Sequence, residues 1–154
     1  MSQYILPMIM GMIGGILSWI ATNFVGQPII RFYKLRDHAR SSLMFYSNVG
    51  LVFENKNPTE HPDWEKWLKA ESAYRDLASD IQTLALNYPS INRILTLRGY
   101  NLEVASRHLI GLSNSFGRPN EMRRGVVASF RDNIERSLKL FPLTYPEGVK
   151  IRYD

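Results

Sequence analysis

The sequence predicts an all-α protein in which one apolar membrane helix leads into an antiparallel four-helix bundle. Three observations carry that expectation. Residues 4–25 hold no charged side chain. Beyond them, apolar and small residues recur at alternating spacings of three and four, as in helices that bury one stripe. The prolines after Pro28 all fall between those stripes, where helices end.

The uncharged run comes first. At 1.5 Å per residue it spans about 33 Å, enough to cross a hydrocarbon core of roughly 30 Å. A cleaved signal peptide would put basic residues before the run and small residues at its end. Nothing basic precedes residue 4, and Ala21-Thr22-Asn23-Phe24 lacks the cleavage pattern. Arg31, Lys34, Arg36 and Arg40 follow the run, so the positive-inside rule puts residues 27–154 in the cytoplasm. Residues 1–26 thus read as a single-pass signal anchor in the plasma (inner) membrane, with its short N-terminus outside.

Within that segment Gly11 and Gly15 form a G-x-x-x-G pair, extended by Ser18 and Thr22. Small residues let two helix backbones approach in lipid, so this face is a candidate for self-association. The cations behind it surround their helix. With Phe32 as zero, Arg31 lies near about −100°, Arg36 near 40°, Arg40 near 80° and Lys34 near 200°. A helix leaving the bilayer steeply meets headgroups on all sides, whereas one lying flat would segregate its charges. The four cations are therefore expected at the membrane surface, against lipid.

The cytoplasmic part, residues 27–141, opens with a helix over about 28–53. Its stripe is Phe32, Leu35, Ala39, Ser42, Tyr46, Val49 and Phe53, and Pro28 marks either a new helix or a kink in a continuing one. Residues 54–61 read as a loop. Pro62, Asp63 and Glu65 open a second helix, with the stripe Trp67, Ala70, Tyr74, Leu77, Ile81, Leu84 and Tyr88, closed by Pro89. Residues 90–99 have room for two turns before Gly99. A third long helix carries Leu102, Ala105, Leu109, Leu112 and Phe116, with Gly117 at its C-terminus and Arg118-Pro119-Asn120 as a reversal. The last carries Val127, Phe130, Ile134, Ser137 and Phe141 and ends at Pro142, leaving residues 142–154 as a tail. Short connections favour packing within the chain over coiled-coil pairing between chains.

Chemistry is sparse. The chain has no cysteine, which excludes disulfides, thiolate metal sites and cysteine nucleophiles. Its three histidines, His38, His61 and His108, share no metal-binding spacing, and no phosphate loop or nucleophile elbow is present. No cofactor and no catalytic residue is expected. Arg31-FYKLRD-His38 resembles the R-x6-H spacing of small all-helical ribonucleases of the HEPN class. The resemblance covers two residues, with Phe32 where a polar side chain is usual. It implies a ribonuclease; a snorkelling Arg31 and a surface His38 account for the same residues.

The net charge of +5 has two basic centres, residues 27–53 and residues 118–140, each at +3. In the second, Arg118, Arg123 and Arg124, together with Arg98, are candidates to converge at one bundle end and bind the phosphates of a nucleotide. The same residues also suit a solvated face paired with Glu121, Asp132 and Glu135. Two functions follow. One is a structural or signalling module that self-associates or holds a cytoplasmic protein partner at the membrane. The other is a ligand-gated membrane effector that reads a phosphorylated messenger through that arginine-rich end.

Overall fold

The apolar segment and the first amphipathic stripe form one unbroken rod. In the computed structural model, which describes residues 2–47, 64–115 and 123–140, α1 (Ser2–Ile20) passes through a π-helical turn (Ala21–Gly26) into α2 (Gln27–Phe45). The side chains of residues 2–6 and 123–124 fall outside the described set. From Pro7 to Phe45 the rod is 39 residues long and is long and apolar enough to cross a membrane. Pro28 explains the widened turn. Its ring crowds the carbonyl four residues back and it offers no N–H, so the α ladder cannot run through it unaltered. The Gln27 N–H instead reaches the carbonyl of Thr22, five residues back.

The rod changes character along its length. Every described side chain of α1 is exposed, including Met8, Met12, Ile16 and Trp19. In α2, Pro28, Phe32, Leu35, Ala39, Ser42 and Leu43 are buried. The helix expected to reach about residue 53 gives way at Tyr46, and Val49 and Phe53 lie outside the described residues.

The remaining helices are α3 (Trp64–Asn87), α4 (Pro89–Leu97), α5 (Leu102–Ser113) and α6 (Arg123–Ser137). All are helical for readable reasons. In α3 the expected stripe from Trp67 to Leu84 is buried, with Ala78 added to it. Pro89 opens α4 as a first-turn proline, where a missing N–H costs nothing. Asn101 caps α5 by accepting the Val104 N–H at 3.0 Å.

The core gathers Phe32, Leu35, Ala39 and Leu43 with Tyr74, Leu77, Ile81 and Leu84, then Leu102, Ala105, Leu109 and Leu112, then Ile134, Leu138 and Leu140. Each fully buried Leu, Ile or Phe contributes about 1.5–3 kcal/mol of hydrophobic free energy. Val127 and Phe130 pack at the margin of this cluster. Sequence-distant pairs fix the arrangement. Arg31 meets Asp80 and the Tyr74 hydroxyl meets the Ser42 carbonyl; Arg36 meets Leu138 and Arg131 meets Leu43. The Asn101 N–H donates to the Ser137 carbonyl at 2.9 Å.

Candidate functional site at the helix junction

What distinguishes this molecule is how α2, half of the apolar rod, is fastened to α6. Helices end with unpaired carbonyls, and these must find donors when they are buried. At the end of α6 the Leu140 N–H reaches the Glu135 carbonyl at 2.8 Å and the Lys139 N–H reaches that of Arg136 at 3.2 Å. This is the Schellman pattern, and it needs a left-handed residue at Lys139, whose φ is 47°. Leu140, the residue that often makes an apolar contact in this motif, is buried behind it.

A second such end abuts the first. The Tyr100 N–H reaches the Leu95 carbonyl at 3.0 Å and the Gly99 N–H that of Thr96 at 2.8 Å, closing α4. Here the left-handed residue is a glycine, with φ of 81°. Lys139 joins the two ends. Its Nζ donates to the Arg98 carbonyl at 2.6 Å and lies 5.3 Å from the centre of the Tyr100 ring. Tyr100 in turn stands edge-on to Phe32 of α2, centroids 4.9 Å apart.

Two arginines then clamp α2 and α6 reciprocally. Arg36 on α2 donates through Nε to the Leu138 carbonyl at 3.0 Å and through Nη2 to that of Lys139 at 2.8 Å. Arg131 on α6 donates through Nη2 to the Leu43 carbonyl at 3.2 Å, near the end of α2. Each cation thus sits at the negative end of the other's helix, where the dipole favours it. Arg131 also pairs with Glu135 at 3.3 Å. Beside this contact, burial pushes the Tyr74 hydroxyl far above its ordinary pKa; nearby Arg131 pulls the other way and Tyr46 adds to the rise.

The residues singled out from sequence are placed as follows. Beyond the adjoining helix backbone, nothing lies within 4 Å of a would-be Cβ on Gly11 or Gly15, and Ser18 and Thr22 are exposed on the same rod. Arg31 is ion-paired with Asp80 at 3.2 Å, and His38 is exposed two turns along α2. Lys34 and Arg40 are exposed. Arg36 is engaged with backbone carbonyls of the protein, a use that its place in a basic cluster did not signal. The supposed arginine-rich end is not assembled by the described residues. Arg98 lies beside Lys139, just past the C-terminus of α6, whereas Arg123 and Arg124 begin that helix. The length of α6, about 21 Å, separates them. Arg118 lies outside the described residues.

A shallow depression of about 400 Å³ lies by the end of α6, lined by Asp132, Glu135, Arg136, Lys139 and Leu140. Asp132 and Arg136 pair at 2.9 Å there. Among the described residues no three His, Asp or Glu side chains gather as metal ligands would. The junction joins the rod to the helical core through hydrogen bonds. In comparison with known proteins, no family model, no curated protein and no solved structure matches the chain.

Proposed function

We propose that this protein is a single-pass membrane-anchored structural or signalling module. In this reading α1 spans the bilayer, and α2, α3, α5 and α6 form an antiparallel four-helix bundle on the cytoplasmic side. The module works by holding a second copy of itself, or a cytoplasmic protein partner, at the membrane. The observation that carries the reading is the unbroken rod from Pro7 to Phe45, whose first half is bare and whose second half lies in the core. Helical backbone runs without a loop from anchor to domain, through the π-helical turn, so a displacement of one is passed to the other.

Self-association would run through Gly11, Gly15, Ser18 and Thr22, with close backbone packing as its source. The open space around Gly11 and Gly15 means that a larger side chain there leaves the chain's own fold undisturbed. Energy transfer between labelled copies of the full chain in lipid vesicles tests this directly. Transfer should be strong for the native chain and fall to the level of random mixing for Gly11→Ile with Gly15→Ile. Unchanged transfer would remove this packing face. Extraction of the native chain by alkaline carbonate would remove the membrane anchor itself.

A further inference from the structure

The corner between α3 and α5 presents apolar and cationic side chains together, at the level where the rod emerges from its uncharged stretch. The level follows from contacts. Phe32, which meets Tyr100, lies six residues after the π-helical turn, about 9 Å along the rod. Tyr74 meets α2 at Ser42 and Asp80 meets it at Arg31, so α3 runs back toward α1. From Asp80 to Asn87 it continues for about 10 Å in that direction. The next helix, α4, therefore begins near the level of Phe24 and ends near that of Phe32. It packs at this end of the domain, beside the stretch where the rod's uncharged run gives way to Arg31.

α4 buries Ile91 and Leu95 and turns another side outward. On that side Leu97 is 83% exposed, the highest value for a large apolar side chain among the described residues. Ile94 is exposed beside it, and Leu86, at the end of α3, is 72% exposed. Arg93 and Arg98 are exposed on the same short helix, and residues 81–102 contain no carboxylate. An apolar strip flanked by arginines that pair with no carboxylate among the described residues matches an anionic lipid surface, with acyl chains below and phosphates above.

We propose that α4 is a second membrane contact, placed in the headgroup layer of the leaflet from which the rod emerges. Leu97, Ile94 and Leu86 reach the acyl boundary, and Arg93 and Arg98 bond lipid phosphates. The inference rests on the reading of α1 as a membrane span. Together the two contacts fix the domain's tilt against the bilayer, which a single helix would leave free.

The cysteine-free sequence makes the test direct. Met12→Cys, Leu97→Cys and Leu68→Cys each carry one fluorophore on the full chain, in nanodiscs of phosphatidylcholine and phosphatidylglycerol with brominated acyl chains. Quenching is expected at positions 12 and 97 and not at 68, on the distant part of α3, with at least about threefold more at 97 than at 68. Quenching at 12 with a water-exposed label at 97 overturns the α4 contact and leaves the span standing. A label at 97 that is shielded from water yet unquenched means that protein covers this face, and it overturns the lipid assignment. No quenching at 12 overturns the span and this inference with it. Arg93→Glu with Arg98→Glu should roughly halve quenching at 97 without altering it at 12; no change would remove the arginines from the contact.

Discussion

Lys139 Nζ lies 2.9 Å from the point that a Cβ on Gly99 would occupy, so two helix ends meet with almost no slack. Both residues are left-handed, one as glycine and one not. Gly99→Ala should therefore cost about 1–3 kcal/mol, from the left-handed backbone and the displaced ammonium group. In a Lys139→Ala background the steric part disappears and the cost should fall toward about 1 kcal/mol. Urea unfolding of the four chains in detergent measures the difference.

Arg36→Met should destabilise the domain by about 2 kcal/mol, because the Leu138 and Lys139 carbonyls at the end of α6, one half-buried and one exposed, lose a charged donor. Arg131→Met should cost a similar amount through the Leu43 carbonyl. Arg40, exposed in the same basic run, provides the contrast. Arg40→Met should change stability by no more than about 0.5 kcal/mol. Thermal unfolding of the three variants would separate a membrane-surface role from a clamping role within one cluster.

Tyr74 gives a pH signature. An ordinary tyrosine loses its proton near about pH 10, and burial raises this value in the folded protein. Its contribution to stability is complete below about pH 10 and is lost above it, because only the unfolded chain then releases the proton. The fall in melting temperature between mildly and strongly alkaline buffer should thus be smaller for Tyr74→Phe than for the native chain. An identical fall would show that other groups govern the alkaline limb. Near neutral pH the same variant should lose about 1 kcal/mol with the bond to the Ser42 carbonyl.

Leu109 and Leu97 are the same residue in opposite surroundings, one fully buried and one 83% exposed. Leu109→Ala should cost about 2–5 kcal/mol through lost burial and the cavity left behind. Leu97→Ala should be close to neutral in detergent. Denaturant midpoints of the two variants decide this.

The stripes were legible because burial in a helix obeys the geometry that spaces them. Phe32, Leu35, Ala39 and Ser42 are buried as expected, as are Trp67 to Leu84 along α3 and Leu102 to Leu112 along α5. The last helix was read too long. Pro142 marked its end in the sequence, but α6 stops at Ser137 because Lys139 turns left-handed. A lysine gives no local sign of that, as a glycine would. Arg36 was hidden for a related reason. Its partners are backbone carbonyls over a hundred residues away in sequence, and carbonyls have no sequence pattern.

The π-helical turn at Ala21–Gly26 also sets a phase. A turn that closes five residues back rather than four takes up one extra residue, and each residue of an α-helix subtends about 100°. The azimuth of the glycine face on α1 is therefore offset from that of the stripe on α2 by an amount that this turn determines. Deleting the residue that the wide turn absorbs, so that the ladder closes as an ordinary α-helix, would leave the two faces nearly in their present phase. Deleting one residue from the α-helical stretch between Gly15 and Ala21 would instead rotate the whole domain by roughly 100° about the rod while leaving its core intact. In any paired state built on Gly11 and Gly15, those six residues would choose which surfaces of the two domains look at each other.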